Sequence, residues 1–503
     1  MPKIQFILLT FFSLLFSACT SPTSSPTPAG VIVTPTPFAL AVTPDKTPSA
    51  TPSPTPIPLQ RPQYTLNLLI DYTRKAAVVE ETIFYPNLSG ESLPNLVLAV
   101  EPNLWIEGFS LKELTLDGLP IRTYRLEGQR LEIPLPQPLE PGSITKLSLT
   151  YSLILPQIPA YSDPNNVRPQ IYGYTSLQVN LVEWYPFIVP YIPGTGWVLH
   201  NPWFYGEHLV YAAADYEVNL KFADPASAPV VAASGAPEPA STGSTGDSTR
   251  YILTSGRAFV FSMSREFKVA SQQVGDVTVS SYYFQFNENG GQAALNASAQ
   301  ALQVFSQRYG PYSHKNLSIV MGDFDDGMEY SAFFFLPRSA YNLYDGTNAN
   351  LLTTVSVHET AHQWWFEQVA NDQALQPWLD EALATHSEIV FYQSVYPQLL
   401  SWWWSYWPGR LQGNYPAQGW VDISVYDGGG FSTYAATVYL NGAHFLEDLR
   451  ARIGDDAFFS FIQDYLSQEN GRIATAADFF AILRQHTSVD ISDIIGKYFK
   501  DSH

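Results

Sequence analysis

The chain has 503 residues, 46% of them hydrophobic, and carries 26 Lys and Arg against 46 Asp and Glu, a formal charge of −20. That length supports two or three domains with sizeable cores. The charge argues against nucleic acid as a partner, because phosphates need Lys and Arg, and a single cysteine leaves no disulfide framework.

The chain opens MPKIQFILLTFFSLLFSAC, with an apolar run from Ile4 to Phe16 and the small pair Ser17 and Ala18 before Cys19. The run is too short to span a bilayer comfortably and reads as a secretory signal. Its ending resembles a bacterial lipobox, where the cysteine is lipidated after cleavage, although Phe16 stands where Leu is usual. A plain signal with an incidental cysteine is the alternative, but the sole cysteine of the chain sits at the cleavage point. Residues 20–62 are rich in Pro, Thr and Ser and read as an extended tether. The expectation is a signal peptide over 1–19, a tether over 20–62, and an exported bacterial cell-envelope lipoprotein facing outside the cytoplasm. Its membrane contact is a lipid on Cys19.

From Tyr64 the apolar residues alternate: Tyr64, Leu66, Leu68, Ile70 and Tyr72, and later Leu147, Leu149, Tyr151, Leu153 and Leu155. Period two with Pro and Gly between runs predicts half-buried antiparallel strands. YEVNLKF (Tyr216–Phe222) and YILTSGRAFVFSMS (Tyr251–Ser264) continue it, around a loop at Ser234–Thr249. Residues 63–269 are therefore expected to form an N-terminal all-β domain. Beyond Gly275, VTVSSYYF and LSIVMG read as strands, while QAALNASAQALQVFSQRYG and DFFAILRQHT have helical spacing. Residues 270–503 are expected to form an α+β domain.

That second region contains VHETAHQWWFEQV, Val357–Val369. On a helix, positions four apart share a face, so His358 and His362 can present ring nitrogens to one ion with Glu359 beside it. Zinc sites of this spacing are peptidase-like. A structural helix is the alternative for the bare motif. Eighteen residues separate His362 from Glu381 in PWLDEALATHSE, where Pro377 suits a first helical position. A carboxylate early in a second helix completes a set of two histidines and one glutamate with one position open.

HETAHQWWFEQV followed by WLDEALA resembles the aminopeptidase N family of gluzincin metallopeptidases. DGMEYSAFFF (Asp326–Phe335) is similar to the family's Gly-x-Met-Glu-Asn motif, YLNGAHFL (Tyr439–Leu446) to its Tyr-Glu-Lys-Gly segment, and RYGPYSHKNLSIV to the strand before the Met-Glu motif. The resemblance implies an N-terminal all-β domain followed by a thermolysin-like α+β zinc peptidase domain. It implies one Zn2+ held by His358, His362 and Glu381, with Glu359 taking the proton of a metal-activated water. It also implies Tyr439 as donor to the oxyanion, and Glu329 as partner of the α-ammonium group of a peptide substrate. The strand Ser331–Leu336 is then expected to pair with substrate backbone. The reaction implied is removal of N-terminal residues from peptides; a gluzincin endopeptidase, or a non-catalytic binding lipoprotein on the same fold, are the alternatives.

The chain departs from the pattern in places. Asp326 and Tyr330 replace the Gly and Asn of the Met-Glu motif, and Leu440 and Asn441 replace the Glu and Lys after the tyrosine. A core tyrosine is the alternative reading for Tyr439, with Tyr434 and Tyr426 as the other hydroxyl candidates. The family's second amine-binding Gln or Glu has Gln178 as candidate. Glu388 lies seven residues past Glu381 and either supports a ligand histidine or is solvated. Only 122 residues follow Glu381, so no long C-terminal helical domain is expected. SWWWSYWPG (Ser401–Gly409) either touches a membrane interface or, more in keeping with a folded domain, packs on the protein. DGGGFS (Asp427–Ser432) lacks the frame of a phosphate loop and reads as a flexible loop.

Overall fold

The structure, a computed structural model, describes residues 60–159, 171–238, 248–411, 419–427 and 429–502. The expected signal, Cys19, the tether up to residue 59, most of the loop at 239–247 and Gly428 of the glycine-rich stretch lie outside the described residues.

An N-terminal β region comes first. Its largest sheet has eight strands, the central ones being Ser248–Gly256, Ala214–Phe222, Gln63–Asp71, Ala76–Pro86, Ile144–Ile154 and Phe109–Leu116, neighbours in that order. The alternation in the sequence decides the faces: Tyr64, Leu66, Leu68 and Ile70 are buried, and the residues between them are not. One pairing departs from the antiparallel expectation. Gln63–Asp71 runs parallel to Ala214–Phe222, with Leu66 opposite Val218 and Leu68 opposite Leu220. Distant strands can pair in parallel because the long chain between them makes the crossover. Two four-stranded sheets and a two-stranded one, Tyr191–Ile192 with Gly196–Trp197, complete this region.

The second region begins with a five-stranded mixed sheet of Phe267–Val274, Val277–Phe284, Asn316–Met321, Phe333–Leu336 and Met328–Tyr330, in that spatial order. The strand Phe267–Val274 spans residues 269 and 270 and belongs to this sheet. The helix Glu288–Arg308 supplies the crossover between two parallel strands of the sheet, and helices follow to the end of the described chain. None of the described helices is long and apolar enough to cross a membrane.

The hydrophobic core runs without a break from the β region into the helical region. A buried cation ties the two together. Arg257, 1% exposed, donates to the carbonyls of Glu367, Gln368, Tyr211, Arg472 and Gly471 at 3.0–3.4 Å. Burial lowers its pKa to about 10, and the nearby Glu367 works the other way. Five carbonyl partners spread its charge over three chain segments, one of them directly after the histidine motif.

Candidate metal and active site

The helix Leu351–Ala361 presents the histidines. Asn350 caps it, its side-chain oxygen accepting from Thr353 N at 2.9 Å. One turn brings the rings of His358 and His362 to 4.8 Å between centroids. The helix Trp378–Val395 starts behind Pro377 with Glu381 in its first turn. Glu381 Oε2 lies 3.0 Å from His358 Nε2 and 3.6 Å from His362 Nε2.

Both imidazoles are held from behind. Nδ1 of His358 meets Glu388 Oε1 at 2.9 Å, and Nδ1 of His362 meets Asp380 Oδ1 at 2.6 Å. These contacts turn each Nε2 toward Glu381. One donor atom from each of His358, His362 and Glu381 lies within 4.8 Å of the others. Two imidazole nitrogens and one carboxylate oxygen, so arranged, fit a zinc ion with a fourth position free. Charge agrees with geometry. Burial opposes a positive His358, yet hydrogen bonds from Glu381 and Glu388 hold it up to about 10. Burial opposes the Glu381 carboxylate too, but His358 and His362 hold it well below the usual range. A metal cation held between these groups would take the place of the protons on the two rings.

Glu359 lies beside this set at 7% exposure, and its Oε2 has no hydrogen-bond partner. Burial pushes its carboxyl up to about 7, while His362 and His358 pull it down. The backbone of the Met-Glu motif approaches closely, since a Cβ on Gly327 would sit 3.0 Å from Glu359 Oε1.

Glu329 occupies the middle of the strand Met328–Tyr330 and is 4% exposed. Its Oε1 accepts from Gln373 Nε2 at 3.1 Å, and the same nitrogen donates to Asp380 at 2.7 Å. Burial raises its pKa well above the carboxylate range, His362 opposing and Asp380 adding to the rise. Met328–Tyr330 is the edge strand, and its residues line the cleft. Phe333–Leu336 is paired on both sides, with Asn316–Met321 and Met328–Tyr330, so it has no open edge for a peptide strand, and the open edge belongs to Met328–Tyr330.

Tyr439 lies in the π-helical turn Ala436–Asn441, a turn type common at functional sites. Its ring stacks on His358 at 5.8 Å and 6°, and it lines the cleft. Burial and then the Glu381 charge raise its pKa well above 10.0. Of the other hydroxyl candidates, Tyr434 is fully buried and does not line the cleft, and Tyr426 donates to Asn201 O at 2.7 Å.

Gln178 is placed elsewhere. Its Nε2 donates to Ser262 Oγ at 2.8 Å and Met321 O at 3.3 Å, and its Oε1 accepts from Asp323 N at 2.8 Å. Those bonds join a β-region strand to the end of the strand Asn316–Met321, and the side chain is 1% exposed and outside the cleft lining. The β-region carboxylate that approaches Glu329 is Glu207. Burial, then Glu381 and Glu329, raise its pKa well above the usual value. It follows Gly206, whose φ is +71° and where a Cβ would lie 2.7 Å from Val425 Cγ1, so only glycine fits there. Sequence reasoning missed Glu207, Asp380 and Gln373. Asp380 is adjacent to Glu381 and so was open to the second-position logic applied to Glu388; Glu207 and Gln373 carry no spacing signal. Of the carboxylates described so far, Glu207, Glu329 and Glu359 face a cavity of about 520 Å³.

Comparison with known proteins agrees. Residues 293–498 match the Peptidase family M1 domain. Aminopeptidase N of Lactobacillus helveticus is 26% identical over 235 residues, covering 41% of this chain and 26% of that protein. Aminopeptidase 2 of Candida albicans is 25% identical over 233 residues, covering 42% of this chain and 24% of that protein. The chain thus spans about a quarter of the length of these curated relatives. The crystal structure of an M1 zinc metallopeptidase from Deinococcus radiodurans shares the fold with a TM-score of 0.61 at 19% identity, over 88% of this chain and 95% of that one. A mutant of that peptidase bound to a Tyr-Ser-Ala substrate gives 0.61 at 19% identity, over 87% and 93%. Residues 293–498 of this chain are thus similar to the Peptidase family M1 domain, and the chain shares the fold of solved M1 zinc metallopeptidases.

Proposed function

We propose that this chain is a zinc metalloaminopeptidase that removes N-terminal residues from peptides. The observation that carries the reading is the position of Glu329, a buried carboxylate on an edge strand facing the cleft, with Glu207, His362 and Glu381 among its electrostatic neighbours. Buried carboxylates there favour a substrate α-ammonium group, which only a free N-terminus supplies. Relatives named as aminopeptidases point the same way.

His358, His362 and Glu381 would hold a zinc ion. When bound, it polarises the scissile carbonyl and acidifies a water molecule. Glu359 accepts a proton from the attacking water and passes it to the departing amine nitrogen as the C–N bond breaks. Tyr439 directs its hydroxyl at the carbonyl oxygen as negative charge develops. Met328–Tyr330 offers an open strand edge to the substrate backbone. Glu329 and Glu207 fix the ammonium group, which sets the distance from N-terminus to cleaved bond at one residue.

The same peptide with a free and with an acetylated N-terminus tests this. Cleavage of the free form alone, one residue at a time, is expected; equal cleavage of the blocked form would favour an endopeptidase. The N-terminal sequence supports a location for this enzyme as an exported bacterial lipoprotein, with a signal over 1–19, Cys19 lipidated, and the tether of 20–62 linking a β domain over 63–269 and a catalytic domain over 270–503 to the membrane. Metabolic labelling with a fatty acid, lost in Cys19→Ala, tests that part.

A further inference from the structure

Past Glu329 the cleft continues along a wall that the peptide-bond chemistry does not use, formed by Glu183, His208, Tyr211 and Tyr330. Glu183 has φ +46°, a left-handed backbone that a non-glycine residue adopts at a cost and that is found disproportionately at functional sites. Its carboxylate accepts from the Tyr211 hydroxyl at 3.2 Å. Behind it lies Glu101, 1% exposed, with no hydrogen bond to either carboxylate oxygen. His208 Nε2 stands 3.7 Å from Glu101 and also has no hydrogen-bond partner. Burial, then the Glu101 charge, push Glu183 up to about 8. Among the described residues that line the cavity there is no Lys or Arg. Glu101 thus has only His208 near it and no hydrogen bond, and Glu183 has a neutral hydroxyl as its partner, so neither buried carboxylate is matched by a cation in bonding contact.

The position of this wall assigns the missing cation. The charges acting on Glu329 are those of His362, Asp380, Glu381 and Glu359, on the metal side. The groups acting on Glu183 are Glu101, Tyr211 and Tyr330, none of them a member of the metal-binding set. Glu183, Glu329 and His358 line one cavity, so a substrate residue with its ammonium group on Glu329 and its carbonyl toward the histidines has Glu183 as a carboxylate within that cavity for its side chain. Tyr211, Tyr330 and Phe366 supply aromatic faces along that path, suited to a methylene stem and a cationic head.

We propose that Glu183, backed by Glu101 and His208, is a subsite for a cationic side chain, so that peptides beginning with arginine or lysine are preferred. The proposal rests on the aminopeptidase reading and adds the class of residue removed. Its test compares kcat/KM for arginyl and citrullinyl anilides, and for lysyl and norleucyl anilides, pairs that differ chiefly in charge. The charged member is expected to lead by about tenfold or more, the range of a charge-assisted hydrogen bond. Glu183→Gln should bring both ratios toward one, with Glu183→Asp retaining part. Because each ratio is taken within one protein, a general loss of activity does not imitate the result. Equal rates within the pairs in the native enzyme overturn the subsite and leave the aminopeptidase reading standing. If no free-amine substrate is cleaved, that reading fails, and calorimetry of arginine amide against citrulline amide on the zinc-loaded protein still decides: tighter arginine amide supports the subsite, equal binding overturns it.

Discussion

Trp403 donates its indole N–H to Glu388 Oε2 at 2.6 Å, and the other oxygen of that carboxylate meets Nδ1 of His358 at 2.9 Å. Trp407 donates to the same Oε2 at 2.9 Å. The tryptophan run therefore packs inside the protein, and two of its rings fix the group that orients a metal-binding imidazole. Trp403→Phe or Trp407→Phe removes one donor while keeping an aromatic ring. Each is expected to speed zinc loss to a chelator by roughly tenfold, as for other groups behind metal ligands. The check is chelator-driven metal release beside the melting temperature; an unchanged release rate would show that the indoles only fill space.

Glu359 has a free carboxylate oxygen next to the histidines. Glu359→Gln should retain zinc and lose turnover by about 10²–10⁴-fold, the contribution of a positioned general base. The native enzyme should show an acid limb in kcat/KM. Glu359 must be unprotonated to accept the water's proton, so activity rises with pH through its pKa. Burial sets that pKa up to about 7 from a usual 4.5, and the charge of bound zinc draws it back between the two. A pH profile flat down to 4.5 would contradict this role.

Tyr439, stacked on His358 at 5.8 Å, is the one of the three hydroxyl candidates Tyr439, Tyr434 and Tyr426 that lines the cleft. Tyr439→Phe should lower kcat by about 10²–10³-fold with a small change in KM, since the bond forms chiefly as the carbonyl oxygen gains charge. Tyr434→Phe, a fully buried ring outside the cleft lining, should change kcat far less. Steady-state kinetics of the two variants separates the candidates; the reverse order would reassign the donor.

The β region offers a stability test. Glu81 is 1% exposed on Ala76–Pro86, and burial raises its pKa well above 4.5, with Tyr151 opposing. A carboxyl raised in the folded state is fully compatible with folding below its unfolded pKa and costs stability as pH rises from there toward the folded value. Glu81→Gln removes that loss and should stabilise the protein by about 1–2 kcal/mol at pH 7, with no gain at pH 4. Denaturant titrations at the two pH values read the difference, and a destabilised variant at pH 7 would show that Glu81 is ionised and paired.

What could be read from the sequence follows a physical division. The triad was legible because helical spacing fixes His358 and His362 on one face, and Pro377 fixes where the second helix starts. The strands of the β region were legible because one-sided burial forces alternation, as at Tyr64 to Ile70. Their pairing was not, since alternation says which face is buried and nothing of the neighbour; hence the parallel partner Ala214–Phe222. Glu207 and Gln373 were hidden for the same reason, because they meet Glu329 or its surroundings only through the fold. Gln178 failed as an amine partner because a motif-level match cannot show that its amide is already used by Ser262, Met321 and Asp323.

The most direct measurement is a crystal structure of the zinc-loaded protein with anomalous scattering recorded on both sides of the zinc edge. The account predicts one strong peak per chain within bonding distance of His358 Nε2, His362 Nε2 and Glu381. A stoichiometric zinc peak at any other group of residues, with none at these three, would contradict it.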